Sequence, residues 1–137
     1  MGVTVEVRGL EEAVARLSPE VLRGPFGRFL TRCGVKVQEL VTERAPVDTG
    51  RLQTSLAYQV DGGVLPTWVR VGSHVEAEGF SYPQHLDESD WPHYVGTQWS
   101  GELTKGWFSG TIEERGVPEV ERLAGILEDE LAREMEG

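Results

Sequence analysis

Ala45-Pro46-Val47-Asp48-Thr49-Gly50-Arg51-Leu52-Gln53-Thr54-Ser55-Leu56 is the stretch that decides the fold. Pro46 disfavours helical geometry at Ala45 and stops a helix arriving from the N-terminal side. Asp48 and Thr49 can accept hydrogen bonds from backbone N–H groups just ahead of them. Gly50 permits a sharp or left-handed turn, and Leu52 and Leu56 return the chain to the core. The stretch is therefore expected to be a helix-to-sheet corner, with Pro46, Asp48, Thr49, Gly50, Leu52 and Ser55 as its structural residues. Nothing in it suggests catalysis.

On the N-terminal side of this corner, Phe26, Phe29, Leu30, Cys33, Val37, Leu40 and Val41 form one apolar stripe at helical spacing. Arg28, Arg32, Lys36, Glu39 and Glu43 occupy the opposite side, so a long amphipathic helix is expected from near Pro25 to Pro46. Further back, Val3, Val5 and Val7 alternate with Thr4, Glu6 and Arg8, the pattern of a short half-buried strand over 3–8 ended by Gly9. Leu10, Ala13, Val14 and Leu17 then mark a two-turn helix, interrupted by Ser18-Pro19.

On the C-terminal side, residues 55–60 and 64–72 flank Asp61-Gly62-Gly63, which predicts a β-hairpin. Leu56, Tyr58 and Val60 alternate on its first arm. On the second, Val69 and Val71 face one way and Trp68 and Arg70 the other, while Pro66 confines the start of that arm to an edge or a bulge. From 74 to about 101 periodicity disappears, and a long irregular loop is expected. Leu103, Trp107, Phe108 and Ile112 suit a short strand or an aromatic anchor. Gly116-Val117-Pro118 then opens a last helix, with Val120, Leu123, Ala124, Leu127, Leu131 and Met135 inside and the intervening glutamates toward solvent. The expected architecture is a single α+β domain over 1–137: a small, mostly antiparallel sheet with a β-hairpin, packed against one long amphipathic helix and a C-terminal helix.

A chain of 137 residues, 39% of them apolar and including four Trp, can bury one core, which excludes a solvated disordered chain. Acidic residues outnumber basic ones 23 to 13, for a net charge of −10. Grip on nucleic acid depends on cations displacing counterions from phosphate, so sequence-specific nucleic-acid binding is not expected. The imbalance is uneven: 1–50 holds seven cations and seven anions, whereas 101–137 holds four and ten. Such a division suits copies meeting head to tail as well as a solubilising surface. One cysteine, Cys33, excludes an internal disulfide and a multi-cysteine zinc site, and its place on the apolar stripe makes it a core residue. No run approaches the roughly 20 apolar residues of a membrane span, and no export signal is indicated at the start.

The sharpest enzyme candidate is the group His74, Glu76, Glu78, His85, Asp87, Glu88, Asp90 and His93. These residues lie in an aperiodic stretch with no HExxH and no cysteine partners, so a solvated acidic loop is the better reading and no metal or cofactor is expected. Ser100 and Ser109 have glycine neighbours without a nucleophile elbow. The aromatic residues Tyr82, Trp91, Tyr94, Trp99, Trp107 and Phe108 are candidate assembly contacts, because large rings in a polar, glycine-containing segment are common at protein interfaces. For the adjacent pair Trp107 and Phe108, close to the last helix, a place in the core is the commoner outcome.

With a long amphipathic helix before it and a hairpin after it, APVDTGRLQTSL resembles the signature of the tail-completion and head-to-tail joining proteins of long-tailed bacteriophages, often grouped as gene-product-ten-like or minor-tail-protein-Z-like. VEVRGLEEAVARL resembles that family's opening strand and helix. Tyr82-Pro83-Gln84-His85-Leu86-Asp87-Glu88 stands nearest to its Tyr-Ala-x-Tyr-Val-Glu-x-Gly-like segment, and Lys105-Gly106-Trp107-Phe108 is similar in character to its aromatic one.

The resemblance implies a non-enzymatic virion protein, a head-tail connector, neck or tail-completion subunit that assembles as a ring around the DNA channel. Its partners would be other connector or tail proteins and further copies of itself, with a monomer in isolation left open. It would reside at the head-tail junction or in the tail, and in the host cytoplasm during assembly. The alternatives are a tail terminator or other tail component, a cellular binding module, and a small metal-dependent hydrolase using His85, Asp87, Asp90 and His93.

Overall fold

The computed structural model describes residues 3–45, 55–73, 76–77, 80–81, 92–95, 98–103 and 107–137. Ser18 and Pro19 do more than interrupt the chain. Ser18 is extended, at φ −73° and ψ 156°, and its hydroxyl accepts from the Val21 N–H at 3.4 Å. Pro19 fills the first helical position, where a missing N–H loses no bond. They open the principal helix, α2 (Pro19–Arg44), which follows α1 (Leu10–Arg16). The expected start near Pro25 is therefore corrected, because Pro25 lies buried inside α2. Near the start of a helix a proline forfeits only the bond back to residue 21, and Gly24 before it has no Cβ to clash with the ring.

The strand expected over 3–8 is also corrected. Residues 3–7 have no regular secondary structure, and Gly9, in the left-handed region at φ +77°, turns them into α1. Alternation equips a segment for a sheet, but a strand exists only when a second strand pairs with it.

The hairpin is present as β1 (Ala57–Val60) and β2 (Val69–Gly72), antiparallel, with Tyr58 opposite Val71 and Val60 opposite Val69. Its second arm begins at Val69 rather than 64, so the connection is longer than the Asp61-Gly62-Gly63 turn expected. Asp61 organises it: its backbone N–H donates to the Trp68 carbonyl at 2.9 Å. Its carboxylate accepts from the N–H of Gly63 (2.9 Å), the N–H of Thr67 (3.1 Å) and the Thr67 hydroxyl (3.3 Å). Those bonds hold the Asp61 carboxyl below its ordinary range.

The stretch expected to be irregular contains strands as well. β3 (Glu76–Ala77) pairs with β4 (Phe80–Ser81), and β5 (Pro92–Val95) pairs with β6 (Gln98–Leu103), both antiparallel. Among the described residues the strands form three separate two-stranded ladders.

The last helix starts before Gly116. A helical turn, α3 (Ser109–Thr111), continues through a π-turn (Ile112–Gly116) into α4 (Val117–Glu136). Pro118 has no N–H to give to residue 114 and its ring crowds that carbonyl, so the backbone widens just before it. The Val117 N–H donates to the Ile112 carbonyl, five residues back, and the path stays helical.

α2 packs along α4 on one side and against the hairpin on another. It approaches the hairpin most closely at Gly34, where a Cβ would stand 2.7 Å from the Tyr58 ring and 2.9 Å from Val69. Two buried clusters result. At the helical end, Ala13, Leu22, Leu127 and Leu131 close together, with Leu65 of the hairpin connection against them. At the sheet end, Val41, Ala45, Leu56 and Trp107 do so, flanked by Val37, Val71, Phe108 and Ile112. The result is a small α+β fold.

Candidate functional site

The described ends of the corner meet in the core. Ala45 is 0% exposed and Leu56 4%, and both pack with Val41 and Trp107. Gln38, on α2, donates from its side chain to the Leu56 carbonyl at 3.1 Å, and the Thr42 hydroxyl donates to the Gln38 carbonyl at 2.6 Å. The Ser55 and Ser73 hydroxyls are hydrogen-bonded to each other, which ties the start of the first arm to the end of the second. Pro46, Asp48, Thr49, Gly50 and Leu52 lie outside the described residues.

Of the candidate assembly contacts, Trp107 takes the core place that its position beside the last helix favoured. It is 3% exposed, its ring meets Phe108 edge-on at 5.4 Å, and its carbonyl accepts from the Thr111 hydroxyl at 2.7 Å. A large ring next to a helix start finds its apolar surroundings within the chain. Phe108 is half-buried against the same cluster. Tyr94 and Trp99 occupy directly opposite register positions of β5 and β6, whereas Tyr82 and Trp91 lie outside the described residues.

The acidic and histidine-containing group also falls largely outside them, apart from the backbone positions of Glu76 in β3 and His93 in β5. Among the described residues, no group of three or more His, Cys, Asp or Glu could hold a metal ion, and no helix is long and apolar enough to cross a membrane.

Sequence spacing does not reveal an apolar groove of about 780 Å³, walled by Val3, Thr4, Val5 and Val7, by α2 and β2, and by the approach to α4. Val5, Phe29, Cys33, Val69 and Val71 line it. Burial pushes the Cys33 thiol up to about 11, so at neutral pH it is a protonated, apolar wall element rather than a nucleophile. At the rim, the Arg70 guanidinium lies over the Trp68 ring at 4.5 Å. The alternation of the second arm puts these two residues on one side, as expected from the sequence. Such a lining suits an apolar or backbone partner better than a charged small molecule.

The charged seam between α2 and α4 is a second feature that spacing does not reveal. Glu130 is one of the glutamates expected to face solvent, yet it bonds Arg28 at 2.9 Å and Arg32 at 3.2 Å across the helix pair. Burial raises its pKa, but the two guanidinium hydrogen bonds and their charges outweigh that and hold it below the ordinary range. Glu128 accepts from the Arg8 N–H at 2.8 Å and so ties the extended segment to α4.

Comparison with models of known protein families, with curated proteins and with solved structures gave no match for this chain.

Proposed function

We propose that this chain is a structural subunit of a tailed bacteriophage, a head-tail connector, neck or tail-completion protein that assembles as a ring at the head-tail junction. The observation that carries this reading is the stretch APVDTGRLQTSL lying between a 26-residue helix and an antiparallel hairpin, the setting in which that signature belongs. Its role there is mechanical. Ala45 and Leu56, the described ends of the stretch, are held in the core beside Trp107, and that packing supports a scaffolding role in contact with other subunits.

The charge supports the same reading: a subunit of net charge −10 beside a DNA channel repels phosphate and lets the genome slide past instead of adhering. Function in this reading is contact, and no reacting group is assigned.

The test is composition and location in particles. Purified virions should contain this chain in fixed stoichiometry, and a labelled copy should appear at the head-tail junction in electron micrographs. Particles made without it should accumulate as separate heads and tails. Label along the tail shaft or at its tip would instead indicate another tail component, and absence from infectious particles would end the proposal.

A further inference from the structure

We infer that the outer edge of β2 receives a strand from a second copy of this chain, residues 3–6 of that copy pairing along residues 69–71 in the apolar groove. This goes beyond the virion reading and stands without it, since it is drawn from the groove alone.

The edge is open. In an antiparallel ladder, bonded and non-bonded residue pairs alternate. The Asp61 N–H donates to the Trp68 carbonyl, so the bonded pairs fall at Gln59 with Arg70 and at Ala57 with Gly72. The N–H and carbonyl of Val69 and Val71 therefore face away from β1. Among the described residues nothing pairs with them, and both residues line the groove. An edge of this kind is a template for strand addition, in which main-chain bonds supply affinity and alternate side chains supply specificity.

The chain carries a segment of the matching chemistry and holds it off that edge. Val3, Thr4, Val5 and Val7 line the same groove, and residues 3–7 have no ladder partner among the described residues. Their root is fixed on the α4 side: the Arg8 N–H is held by Glu128, and Val7 packs against the cluster of Leu127 and Leu131. Val3, at the other end of the segment, is 42% exposed.

Charge selects the occupant. Arg70 and Glu6 are both exposed, and neither is in an ion pair with another described residue. If Val3 and Val5 of an incoming copy face the groove as Val69 and Val71 do, its Glu6 falls on the face that carries Arg70. Opposite charges at neighbouring cross-strand positions favour pairing, and like charges oppose it. The donated segment and the receiving edge are different surfaces, so the contact is head-to-tail, and it closes into a ring or runs on as a filament.

Sedimentation of the full chain tests this. The wild type should increase in mass over the micromolar to millimolar range. Glu6→Arg and Arg70→Glu should each weaken self-association about tenfold or more, with unchanged circular dichroism. A mixture of the two variants should recover the self-association of the wild type with the two alternating one to one, because each donated segment then meets an opposite charge on the edge of the other variant. The double variant should associate like the wild type. A wild type that stays monomeric, or a mixture no more associated than its components, overturns the inference.

A second measurement separates pairing between chains from pairing within one. In a Cys33→Ala background, Val5→Cys is combined with Val69→Cys or with Val71→Cys and oxidised. Covalent dimers and higher ladders are expected from at least one combination. A closed monomer, or no bond from either, overturns the inference.

Discussion

The two buried clusters are built in opposite ways. The helical end takes Ala13, Leu22, Leu127 and Leu131 from three helices, with further apolar side chains around them at helical spacing. The sheet end takes Val41 and Ala45 from the end of α2, Leu56 from the start of the hairpin and Trp107 from the approach to α4. In the first, many medium-sized side chains share the load. In the second, one large ring fills the space where separate segments converge, so the sheet end should be the more fragile of the two.

The largest effect is expected at that ring. Trp107→Ala should destabilise by about 3–5 kcal/mol and Leu131→Ala by about 2–5 kcal/mol, read from denaturant midpoints. The informative difference is where protection is lost in hydrogen exchange: around the end of α2 and β1 for the first, and around α1 and α4 for the second. Uniform loss in both variants would show that the two clusters are one cooperative unit.

Two glycines of α2 sharpen the contrast between its crowded and open faces. Gly34→Ala should cost about 1–3 kcal/mol, because the new Cβ meets Tyr58 and Val69. Gly27→Ala meets nothing within 4 Å and should stabilise by about 0.5–1 kcal/mol through helix propensity alone. Thermal unfolding of both variants measures the two signs.

A smaller effect belongs to the seam at the helical end. Glu130→Gln should cost no more than about 1 kcal/mol, since both arginines are substantially exposed. Glu130 has a lowered pKa in the fold, so its contribution is complete above the unfolded glutamate value and disappears as pH falls through the folded one. The difference between wild type and Glu130→Gln should therefore narrow from neutral pH toward acid, in stability curves measured across that range.

The smallest expected effect is local. Asp61→Ala removes the acceptor shared by Gly63 and Thr67, and the amides of those two residues should exchange faster while the exchange of α2 and α4 stays unchanged.

Legibility in the sequence followed the range of the interaction. The apolar stripe from Phe26 to Val41 and the one from Val120 to Met135 are local patterns, and both lie on helices. The hairpin was legible from the alternation of Val69 and Val71 and from its turn residues. Helix starts were missed where the signal was a competition: Ser18-Pro19 reads equally as a break, and Pro118 reads as a first residue although α3 and the π-turn precede it.

By itself the sequence determined the two long helices, the hairpin and the acidic character, because periodicity, charge and turn chemistry act between residues a few positions apart. Only the tertiary structure decided that Trp107 belongs to the core, that Glu130 among many glutamates faces Arg28 and Arg32, and that Val3, Val5 and Val7 line a groove with β2 without pairing to it. Those outcomes depend on which surfaces meet across about 100 residues of chain, as between Arg28 and Glu130, and no local pattern encodes that meeting.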